Sequence, residues 1–120
     1  MAGTVTVSEE PYGSVKKVSF AWTSDASGNA DAQTSLAYNG EVVRLVTDPD
    51  GTAAPTDNYD VAVNDEDGAD VLMGAGANRD TANTEQVLAS SLGVVANDKL
   101  TLQVTNAGNA KSGVVRIYIR

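Results

Sequence analysis

The 120-residue chain contains no cysteine and no histidine. Without cysteine there is no disulfide, no thiolate metal site and no cysteine nucleophile. Without histidine the commonest general base, the usual catalytic triad and every imidazole metal ligand are excluded. Basic residues are also scarce. Eight Lys and Arg stand against sixteen Asp and Glu, for a net charge of −8. That balance opposes generic binding to nucleic acid or to an anionic membrane. Apolar runs such as Val71-Leu72-Met73 fall far short of the roughly 20 residues that a membrane helix needs. Residues 1–10 show neither the basic nor the apolar region of a secretory signal.

What is present is a period of two. Val5 and Val7 alternate with Thr4 and Thr6, and Val18, Phe20 and Trp22 with Lys17, Ser19, Ala21 and Thr23. The same holds for Tyr59, Val61 and Val63, for Leu100, Leu102 and Val104, and for Val115, Ile117 and Ile119. Successive strand side chains point to opposite faces, so each run has one wet and one buried face, as in antiparallel sheets. The spacing predicts about eight strands, near 4–9, 14–24, 30–37, 40–47, 58–64, 69–73, 99–106 and 112–120, with a shorter one near 85–89. Turn chemistry lies between them. Glu10-Pro11-Tyr12-Gly13 follows the first run, and Asn39-Gly40 and Asp67-Gly68 suit tight hairpin turns. Asn106-Ala107-Gly108-Asn109 is placed to set the register of the last two strands.

The expected fold is all-β: one antiparallel β-sandwich domain over 11–120, preceded by 1–10 as an arm or first strand. Jelly-roll and immunoglobulin-like wiring both remain open, since a buried Trp occurs in each. Residues 74–98 break the alternation and read as a long ordered loop with a short strand. Val87, Leu88 and Leu92 would also fit one face of a one- or two-turn helix. Long loops in compact domains commonly serve function or contact.

Five constellations invite a chemical or binding reading. Asp65, Asp67 and Asp70 surround a turn and are candidate Ca²⁺ ligands, although the terminal bidentate Glu of an EF-hand is missing. The competing explanation is that Asp and Asn build turns by bonding their own backbone. Paired carboxylates could serve glycoside hydrolysis, but no aromatic platform accompanies them. Gly74-Ala75-Gly76-Ala77-Asn78 lacks the Lys-Ser/Thr ending of a phosphate loop. Lys16-Lys17, Arg116 and Arg120 fit outward strand charges that discourage edge pairing, or contacts with an acidic patch on a partner. Tyr59 follows the core alternation, whereas Tyr118 falls opposite Val115 and Ile117 and is a candidate interface anchor. No catalytic residue and no cofactor emerges, with Ca²⁺ the one exception left open.

Several phrases together carry a resemblance. Gly13-Ser14-Val15-Lys16-Lys17 leads to Phe20-Ala21-Trp22-Thr23-Ser24-Asp25, and Ala54-Pro55-Thr56-Asp57-Asn58-Tyr59-Asp60-Val61 follows. Asp65-Glu66-Asp67-Gly68-Ala69-Asp70, the stretch Gly76 to Val87 and the ending Val114-Val115-Arg116-Ile117-Tyr118-Ile119-Arg120 complete it. The chain resembles small β-rich virion structural proteins of tailed bacteriophages. The resemblance implies a non-enzymatic particle component, such as a capsid decoration (cement) protein on the outer surface of the head, made in the host cytoplasm. Its implied partners are the major capsid protein and further copies of itself, with a trimer favoured by analogy. No nucleic acid or membrane partner is expected. A tail or neck component and a virion-displayed carbohydrate- or receptor-binding module are the alternatives. Cyclic assembly needs complementary patches on one chain. The candidates are Val5 and Val7 in the N-terminal run, Arg79 in the 74–98 stretch, and Tyr118.

Overall fold

A computed structural model describes residues 3–120. Among them nine strands form: β1 (Thr4–Glu10), β2 (Lys16–Thr23), β3 (Ala30–Gln33), β4 (Tyr38–Pro49), β5 (Asp60–Asn64), β6 (Glu85–Leu88), β7 (Val94–Asp98), β8 (Thr101–Thr105) and β9 (Ser112–Ile119). One 3₁₀ turn, Ala89–Ser91, separates β6 from β7. The chain is all-β and every strand pair is antiparallel.

The strands make two sheets. The larger runs β1-β2-β9-β4-β6, and β7 also pairs with β4; the smaller runs β3-β8-β5. After the β1–β2 hairpin the chain crosses between sheets at nearly every step. The last two strands insert between earlier ones, β8 between β3 and β5, and β9 between β2 and β4. Immunoglobulin-like wiring keeps the fourth and fifth strands in one sheet. Here β4 and β5 lie in opposite sheets, and the alternation is that of a jelly roll.

Alternating apolar side chains meet between the sheets. Val18, Phe20 and Trp22 from β2 and Val115, Ile117 and Ile119 from β9 face Val61, Val63, Leu102 and Val104 from the smaller sheet, all buried. Each such side chain contributes about 1.5–3 kcal/mol by leaving water. The Trp22 ring also meets Tyr59 at 5.6 Å between centroids.

Four expectations change. Residues 69–73 form no strand. The Asp70 carboxylate accepts the N–H groups of Val63, Leu72 and Gly74, and this curls the segment into turns that still bury Val71 and Leu72. Asn39-Gly40 is no hairpin turn but lies inside β4, at an irregularity in the pairing with β7. Gly40 has φ +129, and a Cβ there would collide with the Arg120 carbonyl, so the position serves close strand packing. Asn106 to Asn109 sets no register, because β8 and β9 belong to different sheets; the Ala107 N–H instead closes onto Gly28. Residues 74–98 hold β6 and β7 end to end along β4, and the only helical element there is the three-residue 3₁₀ turn.

Candidate interaction surface

Residues opposite one another in register share a face, so pairings map the outer side of the larger sheet. One row crosses five strands: Leu88, Arg44, Tyr118, Lys17 and Glu10. The next holds Gln86, Val46, Arg116, Ser19 and Ser8. Asp48, Val114, Ala21 and Thr6 follow. The Arg44 guanidinium sits 4.9 Å over the Tyr118 ring, and its Nε donates to Gln86 at 2.9 Å. A cation over an aromatic face fixes both groups without removing either from solvent. Two ion pairs tie neighbouring strands, Lys17 to Glu10 at 3.8 Å and Arg116 to Asp48 at 3.4 Å. At the open end of this face Leu88 is 77% and Val94 69% exposed. Val94 lies opposite Glu41, three residues before Arg44 on β4.

The other interface candidates have internal duties. Val5 and Val7 belong to β1, which pairs with β2 along its whole length, and both side chains pack against the core. Residues 4–10 are thus the sheet's first strand, with an outer edge unpaired among the described residues. Glu9 points beneath that edge and accepts the Ser35 and Leu36 N–H groups and the Tyr38 hydroxyl, the last at 2.7 Å. Partial burial raises its pKa, but the hydrogen bonds outweigh this and hold it below the usual carboxylate range. Burial and the Glu9 carboxylate push Tyr38 well above the usual phenol range. Arg79 is drawn inward, bridging to Tyr59, pairing with Glu85 at 3.7 Å and donating to the Ala77 carbonyl. Tyr118 alone of the four lies on the exposed face.

The abundant carboxylates are turn staples. Asp25 accepts the Asn29 and Ser27 N–H groups, Asp50 those of Ala53 and Thr52, and Asp80 those of Ala82 and Asn83. These bonds pull all three pKa values below the usual range. Asp65 and Asp67 do come together, but Asp70 is committed to its three N–H groups and does not join them. Asp98, more than thirty residues away in sequence, takes its place, with one oxygen from each carboxylate within 4.8 Å of the others. Desolvation, Glu66 and Asp67 raise the Asp98 pKa. Asp65 Oδ1 already accepts the Asp67 and Ala69 N–H groups, and the one oxygen that each carboxylate brings to the group makes three of the six to eight that Ca²⁺ takes.

A shallow groove of about 520 Å³ lies lower on the same outer face, between Thr4, Thr6 and Thr23 on one side and Asp48, Asp50 and Ser112 on the other. Its hydroxyls and carboxylates suit a polar ligand, yet Phe20 and Trp22 are buried and provide no stacking platform. Family models, curated proteins and solved structures were all compared with the chain, and none matches.

Proposed function

We propose that this chain is a non-enzymatic structural protein of a tailed-phage virion, a decoration protein that reinforces the outer surface of the head. The observation that carries the reading is the continuous, solvent-facing side of the larger sheet, with Leu88, Arg44, Tyr118 and Lys17 in one row. It offers contact area with few concave features. The use of carboxylates as loop staples supports a stiff building block, and the sequence phrases supply the link to virion proteins. Jelly rolls recur in viral capsid and lectin domains, a fold-level analogy that agrees with the reading. In this role the subunit, as a homo-oligomer with a trimer favoured, spans boundaries between copies of the major capsid protein. Because it binds the assembled shell and not its separated parts, it stabilises the shell by mass action.

The test is rebinding of purified protein to heads that lack it. Saturable binding at hundreds of copies per particle, with raised resistance of the heads to heat or chelator, is expected. A few to a few dozen copies would indicate a tail or neck component instead. A second reading, a carbohydrate- or receptor-binding module displayed on the virion, is favoured by the hydroxyl-lined groove. Glycan binding lost on Asp50→Ala would support it.

A further inference from the structure

The charge of this chain is unevenly spread. Lys17, Arg44 and Arg116 lie on the outer rows of the larger sheet, and exposed Arg120 follows two residues after Tyr118. Four carboxylates, Glu10, Asp48, Asp50 and Glu41, share that face. The remaining twelve carboxylates have four basic residues among them. A chain with net charge −8 thus has one face that is not acidic, and on it sit two exposed apolar side chains, Leu88 and Val94. The strongest opposite feature is the carboxylate group of Asp65, Asp67 and Asp98, with Glu66 beside it. None of these four joins an ion pair among the described residues.

We infer that the outer face of the larger sheet docks a second copy of this chain, receiving its acidic turn around Asp67 against Arg44 and Lys17. The apolar side chains Leu88 and Val94 lose water in the contact. Charge complementarity sets its orientation. Like-charged surfaces elsewhere on the two copies disfavour other arrangements. Because donor and acceptor patches differ, the contact is head-to-tail and closes into a ring when the rotation permits. The inference names the self-contact that the proposed assembly role requires.

Sedimentation velocity on the full purified chain tests it without any capsid. Wild type is expected to self-associate, with weaker association as salt rises, because screening shortens the reach of exposed charges. Arg44→Glu and Asp67→Lys are each expected to weaken self-association by about tenfold or more. An equimolar mixture of the two variants restores hetero-association through the swapped pair. Leu88→Ser weakens association with little change in its salt dependence. Circular dichroism confirms that the variants keep the wild-type fold; Asp67 is chosen because its carboxylate caps no turn. A chain that stays monomeric at low salt, or that associates equally well in both charge variants, overturns the inference. Monomers that still saturate phage heads would overturn this contact and leave the decoration reading standing. Charge-dependent rings that ignore heads would do the reverse.

Discussion

The Trp22 indole lies hard against Gly113: a Cβ at position 113 would stand 2.8 Å from Cζ2 and 3.1 Å from Cε2. The two residues are opposite each other in the β2–β9 register, and Trp22 is 1% exposed, so the ring has nowhere to retreat. Gly113→Ala is expected to destabilise the fold by about 1–3 kcal/mol, the usual cost of overpacking a full core. Urea unfolding measures it. An unchanged midpoint would mean that the indole can shift.

Tyr59 gives the opposite expectation. Its hydroxyl, like Thr47 Oγ1 and Trp22 Nε1, is buried and makes no well-formed hydrogen bond among the described residues; the neighbouring Thr47 hydroxyl pulls the Tyr59 pKa down only weakly against burial. Burial pushes its pKa up to about 12. Removing a polar atom that has no partner sacrifices nothing and relieves its desolvation cost. Tyr59→Phe is therefore expected to match or exceed wild-type stability, by up to about 1 kcal/mol. A loss above about 1 kcal/mol would reveal a bridging internal water.

Acid should weaken the fold. Glu9, Asp25, Asp50 and Asp80 all have folded-state pKa values below their ordinary ones. Their contribution is complete above the ordinary carboxylate range and is lost as pH falls through the lowered folded values. Asp98 runs the other way, its raised pKa opposing folding as pH climbs through it. Thermal melts from pH 7 to pH 2 should show a falling midpoint. Glu9→Gln should lower the midpoint at pH 7 and flatten this acid limb, costing about 1–2 kcal/mol for the charge-assisted bonds. Asp98→Asn should stabilise more at pH 7 than at pH 3. A midpoint that rises on acidification would sink the account.

Ala110 occupies the left-handed region at φ 53 and is exposed. A Cβ there costs roughly 1–2 kcal/mol that glycine avoids, offset in part by glycine's greater freedom when unfolded. Ala110→Gly is expected to raise stability by up to about 1 kcal/mol, read from the same urea curves.

Strands whose alternation runs uninterrupted were legible from sequence. β2, β8 and β9 fall where Phe20, Leu102 and Ile117 indicate, and Trp22 and Tyr59 are buried as their spacing requires. Failures arose where a side chain overrode the pattern. Val71-Leu72 reads as strand, but Asp70 captures three N–H groups and bends the chain. β7 carries a single buried side chain, Val95, and takes its strand form from pairing with distant β4, which no local signal reports. The outward placement of Tyr118 followed from parity. Its partner Arg44 did not, because an irregularity between Val42 and Arg44 shifts the β4 register. Asp98 was illegible in the acidic cluster for a similar reason: only tertiary folding carries it to Asp65 and Asp67.

The position of β9 between β2 and β4 bears on how the protein is made. A ribosome releases this chain in order, yet the two strands flanking the vacancy emerge long before the residues that fill it. Until 112–119 are synthesised, β2 and β4 expose unmatched edges, and Phe20 and Leu45 lack their cross-strand neighbours Val115 and Ile117. Nascent chains truncated before that segment should be protease-sensitive and prone to clump, with folding a late, all-at-once event governed by distant pairings.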